Sequence, residues 1–548
     1  MGVKPLLLSS LLWAASTTTT VTATTATAAS SPSTTQYANH IFNSIHSSMR
    51  QWGSSLQHNG MSFFLATVPA GTQFYHGTSI ADAVNGTEWL AFEPEHAMVF
   101  ARPRRGPPPN EDDDDDDDDK KRKDLRRRNE EDQQQQEEQE SGWLHTYIAA
   151  KDLRLLYVDG MAAGKTSNGT LDLEDRILFR DELGDGEMMG ERERANMFCR
   201  MAKEEWGDRL DGLLRMEAGF EIILCDFARD LKQVRVTQTK PSQPFGGPGG
   251  GKDKKRKGGP GGGGDGGLWF KAIAARYDGI GGNRVTLNYD NFVSAYTYGL
   301  DLFHSVNETF TLPRLKHLTS QQLDPIREAL SDLVLQHEAK EATLNWQTVT
   351  DMVVERYARE IRYLASGELS TVEAIHAEID TVLGPFVDYG DRDGEEEAER
   401  CSMQFIPGGK LGDGGDAGVA ATAVHSVTRK ICATMVEAWQ ETDYNTIIGL
   451  FQDLMEYLAW TTWKQCSGCA DHEICVVPIW PMGTVEDYNH PQCHDASNPS
   501  SEGQRYWGGG PGGPGGRHPP SSSSSSGWIP SLVSFVRTFL GVALGLHF

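Results

Sequence analysis

Four stretches of this 548-residue chain cannot fold on their own, and they fix where folded units can lie. Residues 102–140 carry the acidic run Asp112 to Asp119, then Lys/Arg and Glu/Gln blocks. Residues 240–267 are Gly, Pro and Lys, and residues 407–418 and 499–527 are rich in Gly, Pro or Ser. Such compositions bury too little apolar surface to offset the entropy of ordering the chain. Two candidate units remain, residues 36–239 and residues 268–495. The first contains the 102–140 tract as an insert, which a surface loop tolerates because closure entropy grows slowly with length. The 240–267 tract reads as the linker between units.

Much of the formal charge of −26 sits in those solvated acidic runs. The basic stretches, Lys120 to Arg128 and Lys252 to Lys257, fall in the same tracts. No folded basic face is indicated, so nucleic acid is not an expected partner.

Residues 1–29 read as a secretory signal: Lys4, a short apolar core from Leu6 to Ala15, then small residues. The core is too short to span a bilayer. Sequons at Asn85, Asn168 and Asn307 and an even count of eight cysteines agree with a secreted or cell-surface destination. The tail, residues 528–548, follows the 499–527 tract and admits two readings. It resembles the hydrophobic end of a GPI signal, and Leu532, Phe535, Val536, Phe539 and Leu540 also recur at helical spacing, as in a helix lying on a membrane or packed on the protein. Arg537 counts against a spanning helix.

Within 36–239, Met61 to Val68, Gly71 to Tyr75, Leu153 to Val158 and Phe220 to Asp226 read as strands, and Glu191 to Trp206 as a helix. This is an α+β unit. Residues 268–495 read as mainly helical. Asp324-Pro325 marks the start of one helix, and stripes from Trp346 to Leu364 and from Ile447 to Leu458 are bundle core.

Three segments carry candidate chemistry: Phe74-Tyr75-His76-Gly77-Thr78, the run from Trp89 to Ala101, and Glu217-Ala218-Gly219-Phe220-Glu221 leading to Asp226. In this order they resemble the three motifs of the ADP-ribosyltransferase fold, a split sheet that clamps NAD. The resemblance implies NAD-dependent ADP-ribosyl transfer or NAD hydrolysis, with NAD as co-substrate. It makes His76 and Glu221 the catalytic residues, with His76, Gly77, Thr78 and Trp89 binding the dinucleotide. His76 would hold the ribose, the Gly77 backbone the carboxamide, and Trp89 the nicotinamide ring, where the family usually has Tyr. Position 219 is Gly, so the Glu-x-Glu of the arginine-modifying branch is absent. The second expectation, from another class, is a non-catalytic secreted or surface interaction protein on a degenerate version of that fold. Across both units the chain also resembles a group of uncharacterised secreted proteins of filamentous fungi, through Trp89 to Ala97, Asp159 to Thr166, Glu217 to Glu221 and Pro478-Ile479-Trp480-Pro481.

Other patterns are weaker. Gly160 to Thr166 imitates a phosphate-binding loop but lacks one residue between its glycines. Cys466, Cys469, Cys475 and Cys493 have enough ligands for zinc, yet irregular spacing and an oxidising destination favour disulfides, in any of three pairings. Cys199 with Cys225 and Cys401 with Cys432 are the other candidate pairs, and no metal is expected. Neither Gly-x-Ser-x-Gly nor His-Glu-x-x-His occurs.

Overall fold

The computed structural model describes residues 36–102, 141–183, 190–239, 271–273, 284–304, 311–341, 343–409, 418–496 and 503–507. The expected signal peptide, the Asn307 sequon and the 528–548 tail lie outside the described residues. None of the helices described is long and apolar enough to cross a membrane.

The chain opens with α1 (Ala38–Ser47) and α2 (Gln51–Leu56), then β1 (Asn59–Val68), whose ten residues are all buried. Its apolar run has the composition of a strand covered on both faces. There follow β2 (Gln73–Thr78), β3 (Glu88–Ala91), α3 (Pro94–Met98), β4 (Trp143–Ala149), β5 (Leu153–Gly160), a π-helical turn at Leu173–Leu178 and α4 (Glu191–Glu204). Then come β6 (Gly212–Met216), β7 (Phe220–Leu224), α5 (Phe227–Asp230), β8 (Leu231–Gln238) and β9 (Thr286–Ser294). The nine strands form one sheet in the order β8-β4-β2-β3-β7-β6-β5-β1-β9. All neighbours are antiparallel except β5 and β6. The narrowest junction lies between β2 and β3, where the register is confined to Tyr75 opposite Ala91.

Strands that the sequence conceals are those with weak alternation. β8 is an edge strand whose Lys232, Gln233, Val234 and Arg235 are exposed. Charge on an edge prevents pairing with other chains, and it also erases the apolar signal.

The remainder is helical: α6 (Ser320–Gln336), α7 (Trp346–Ala365), α8 (Val372–Leu383), α9 (Gly394–Ser402), α10 (Val419–Gln440), α11 (Tyr444–Leu458) and α12 (Val485–Asn489), with a small hairpin of β10 (Glu473–Val476) and β11 (Gln492–Asp495). α6 starts a turn before the expected Asp324-Pro325, because Thr319 and Gln322 form a reciprocal capping box. α7 buries Trp346, Val353, Tyr357, Ile361 and Leu364 as expected, but Met352 from the same stripe is exposed. α10 packs against α1, α8, α9 and α11, tying the first helix to the last long ones.

The two expected units are not separate. β9 comes from beyond the 240–267 tract and pairs with β1, and the described residues as far as Trp507 form one compact body. Part of the expected 499–527 linker is also folded: Tyr506 and Trp507 are buried, and the Tyr506 hydroxyl lies 2.6 Å from His58 Nε2. A sheet open along β1 would expose that strand's backbone and Phe64, and β9 closes it through Phe292, stacked 4.8 Å from Phe64.

All eight cysteines are paired: Cys199–Cys225, Cys401–Cys432, Cys466–Cys475 and Cys469–Cys493. The first two are the expected pairs. The last two select one of three pairings and leave no thiolate for zinc, although Cys466, Cys469 and Cys475 lie close together. Thiol titration of the unreduced, denatured protein should therefore detect no free cysteine, and reduction should cost about 2–5 kcal/mol of stability for a bridge that closes a native contact. Stoichiometric zinc, with unfolding on chelation, would contradict this pairing.

Candidate functional site

The residues of the three motifs lie on adjacent strands, but their functional groups have other partners. His76 Nδ1 donates to the Trp89 carbonyl at 2.7 Å, and its ring meets Phe227 edge-on. Burial lowers the His76 pKa, so the ring is a neutral stitch across the narrow β2–β3 junction. A Cβ on Gly77 would come 2.0 Å from the Ala97 carbonyl oxygen, so the first turn after β3 packs directly on the Gly77 backbone. Thr78 ends β2 opposite Trp143. Trp89 is half-buried with the Arg192 guanidinium 4.6 Å above its ring, and Arg192 also binds Glu88.

Register decides which groups can meet. Ala91 lies opposite Tyr75 on one side and Glu221 on the other. Successive side chains on a strand alternate faces. Glu221 therefore shares a face with Tyr75 and Trp89, whereas His76 lies on the other face with Leu90 and, on the far side, His145. The structure brings Glu221 and Trp89 to one face and leaves His76 on the opposite one.

Glu221 belongs instead to a buried ion cluster around Arg215, its cross-strand neighbour. Arg215 donates from Nε to Glu221 at 3.0 Å, from Nη1 to Glu174 at 2.9 Å, and from Nη2 to Glu191. Lys165 reaches Glu217 at 2.7 Å and Glu191 at 3.5 Å. The lysine of the imitation phosphate loop thus has carboxylate partners. One guanidinium fully inside the protein cannot neutralise three carboxylates. Burial pushes Glu174 and Glu221 up to about 7, opposed by Arg215, while the mostly buried Glu191 is held low by Arg215 and Lys165 against its own burial. Arg194, with Asp175 at 2.8 Å, closes the cluster toward the π-helical turn. Arg215, Glu174 and Glu191 belong to no motif in the sequence, since their meeting depends on how the π-helical turn and α4 pack on β6.

The open space lies elsewhere. A cavity of about 400 Å³ sits between α1, α2, the end of β5 and the segment after α11. Its floor is buried: Asp159, Asn59, Asn43, Ser54 and Tyr296. Its mouth is marked by the exposed Thr311, Glu456 and Ala459. Trp460 and Trp463, with ring centroids 5.1 Å apart, form one wall. The floor is shaped by a β-bulge, because the β1–β5 register shifts between Asn59 and Phe63. Asp159 Oδ1 accepts from the Ser62 N–H at 2.8 Å there, and burial raises its pKa to about 7. Trp460-Thr461-Thr462-Trp463 was not singled out from the sequence; its two tryptophans at three-residue spacing, one at the N-cap of a 3-10 turn and one within it, are the local signal for this wall.

Part of the first half of the chain is similar to two yeast proteins. Residues 32–269 match the family described as the YPL277C N-terminal domain. The chain is 34% identical over 223 residues to the uncharacterized protein YPL277C of Saccharomyces cerevisiae, covering 38% of this chain and 45% of that protein. It is also 34% identical over 224 residues to the uncharacterized protein YOR389W of the same yeast, covering 38% and 35%. The chain therefore spans less than half the length of these relatives. No solved structure matches it. The matched family region holds β1 to β8, the Arg215 cluster and the cavity floor from Asn43 to Asp159, and it ends before the Trp460 wall.

The cluster has a pH signature. Glu221 has a folded pKa near 7, above its ordinary 4.5. Its contribution to stability is present below the ordinary value and is lost as pH rises through about 7. Glu221→Gln carries no titrating group at that position. Against that variant, the wild type should lose roughly 1–3 kcal/mol between pH 5 and pH 8 in denaturant unfolding. Parallel pH profiles would mean that Glu221 is ionised throughout.

Proposed function

We propose that this is an extracellular binding protein that holds a small polar molecule in the cavity beneath α1 and the Trp460 wall. The observation that carries the reading is the cavity itself: a volume of about 400 Å³ with a buried polar floor, aromatic walls and an exposed rim. Small-molecule sites commonly enclose about 300–1,000 Å³ with this mixture of apolar walls and few oriented polar groups. An extracellular setting is supported by the full pairing of the cysteines and by the exposed Asn85 sequon. Asn168 is a poorer glycan acceptor, since its side-chain amide donates to the Tyr506 carbonyl at 3.2 Å and Thr170 is buried.

The binding reading is preferred to NAD chemistry for three reasons. The Glu221 charge is engaged by Arg215, the Gly77 backbone is covered by Ala97, and His76 lies across the sheet from Glu221. A carboxylate that stabilises a cationic sugar in a transition state must face the substrate. An ADP-ribosyltransferase-like origin for the sheet is compatible with loss of that chemistry, since folds persist while sites change.

The test uses protein purified from a secreting host. Denaturing extraction followed by mass spectrometry should release a small molecule from the wild type, at a level sharply reduced in Thr311→Trp, which plugs the rim without touching the floor. NAD should be neither bound nor consumed. Turnover of NAD that collapses in Glu221→Gln would overturn the binding reading in favour of the transferase one.

A further inference from the structure

Resting on the cavity reading above, we infer that the ligand is a neutral polyhydroxylated molecule, a free sugar or sugar alcohol of one or two rings.

The polar lining offers mainly acceptors, which suits a ligand carrying several hydroxyl donors. Ser44, Ser47, Ser48 and Ser54 line this cavity; Ser47, Ser48 and Ser54 donate to Gln57 Oε1 and to the Ile45 and Ser47 carbonyls, so these hydroxyls can offer a ligand acceptor lone pairs only. Asn43 donates its amide N–H to the Leu458 carbonyl at 2.9 Å, which fixes the side chain and leaves its oxygen as an acceptor. The Asp159 carboxyl is oriented by the Ser62 N–H and the Ser44 hydroxyl. His40 is stacked on Tyr296 at 5.1 Å and lies 4.6 Å from Phe303, and burial keeps it neutral with a pKa of about 4. A neutral imidazole offers one donor and one acceptor.

Charge argues against an anion. Among the described lining residues Lys464 is the lasting cation, and it is held over the Tyr488 ring at 4.1 Å and by the Tyr488 carbonyl at 3.0 Å. Asp159 and Glu456 are the lining carboxyls. A phosphate or nucleotide would meet two acids and one committed ammonium, unlike sites that gather cations or helix N-termini on phosphate.

The walls suit a ring with apolar faces. A pyranose or cyclitol presents C–H groups above and below its plane and hydroxyls around its rim. Trp463 offers partly exposed apolar surface, backed by the buried Trp460, while Asp159, Asn59 and Asn43 supply the polar floor. The Trp460 indole N–H is buried without an acceptor in the protein.

The experiment is titration of the disulfide-intact protein, followed by tryptophan fluorescence and calorimetry. Probes are glucose, mannose, inositol, maltose, cellobiose, inorganic phosphate, ATP and an aliphatic alcohol. At least one neutral polyol should bind saturably with a shift in tryptophan emission, while phosphate and ATP should not. Ser44→Ala should weaken that binding by about 3–10-fold, the value of one hydrogen bond. Thr311→Trp should abolish it at an unchanged melting temperature. Retention on insoluble glucan without binding of any free sugar would assign the site to glycan ends and overturn the free-ligand claim. Binding of phosphate, ATP or the alcohol alone, blocked in Thr311→Trp, would overturn the ligand class and leave the cavity reading standing. Equal polyol binding by wild type and Thr311→Trp would place the site outside the cavity. No binding of any probe, with no molecule released from the purified wild type, would overturn both.

Discussion

The pairing of β1 on both edges is the interaction on which the rest of this structure depends. β1 joins β5 on one side and β9 on the other, and every one of its residues is buried. Without β9 the strand would be an exposed apolar edge, a template for aggregation. With it, the sequence beyond the Gly/Lys tract becomes part of the same sheet. The bulge at the start of β1 has a second effect. A Cβ at Gly60 would fall 1.9 Å from the Asp159 carbonyl oxygen, so glycine alone allows the strands to approach there. That approach sets Asn59 and Asp159 side by side on the cavity floor. Packing and binding site thus share one backbone irregularity.

The Arg215 cluster shows how a carboxylate near the start of a strand is used in packing. Glu221 keeps the place of a strand-opening carboxylate, yet its oxygen is engaged by a guanidinium that no solvent reaches. Breaking such a buried set by removing one partner leaves an uncompensated charge, which costs about 3–5 kcal/mol. The cluster therefore holds the π-helical turn, α4 and the β6–β7 hairpin in one arrangement.

Much of the fold was legible where apolar period and burial coincide. β1, β5, β7 and α4 stand close to where their patterns place them, and the Cys199–Cys225 and Cys401–Cys432 bridges join the expected partners. β9 was hidden because Asn288, Asp290 and Asn291 break its alternation, although Asn288 is itself buried and bonded to the Glu338 carbonyl. The α6 start was legible in principle, in Thr319 and Gln322, but the nearby proline gave the louder signal. Site geometry was not legible at all. Whether His76 and Glu221 share a face depends on the register of β2, β3 and β7, and short motifs carry no register. The cavity gathers residues near positions 43, 159, 296 and 460, which only the folded chain brings together.

Hydrogen exchange on the native protein, with a neutral polyol and separately with NAD, compares the two sites in one experiment. Ligand binding slows exchange in the segments it stabilises. The polyol should protect peptides covering residues 40–60, 156–162 and 455–464, and NAD should change nothing. Protection of residues 74–91 and 217–224 by NAD, with the cavity segments unaffected by any polyol, would contradict it.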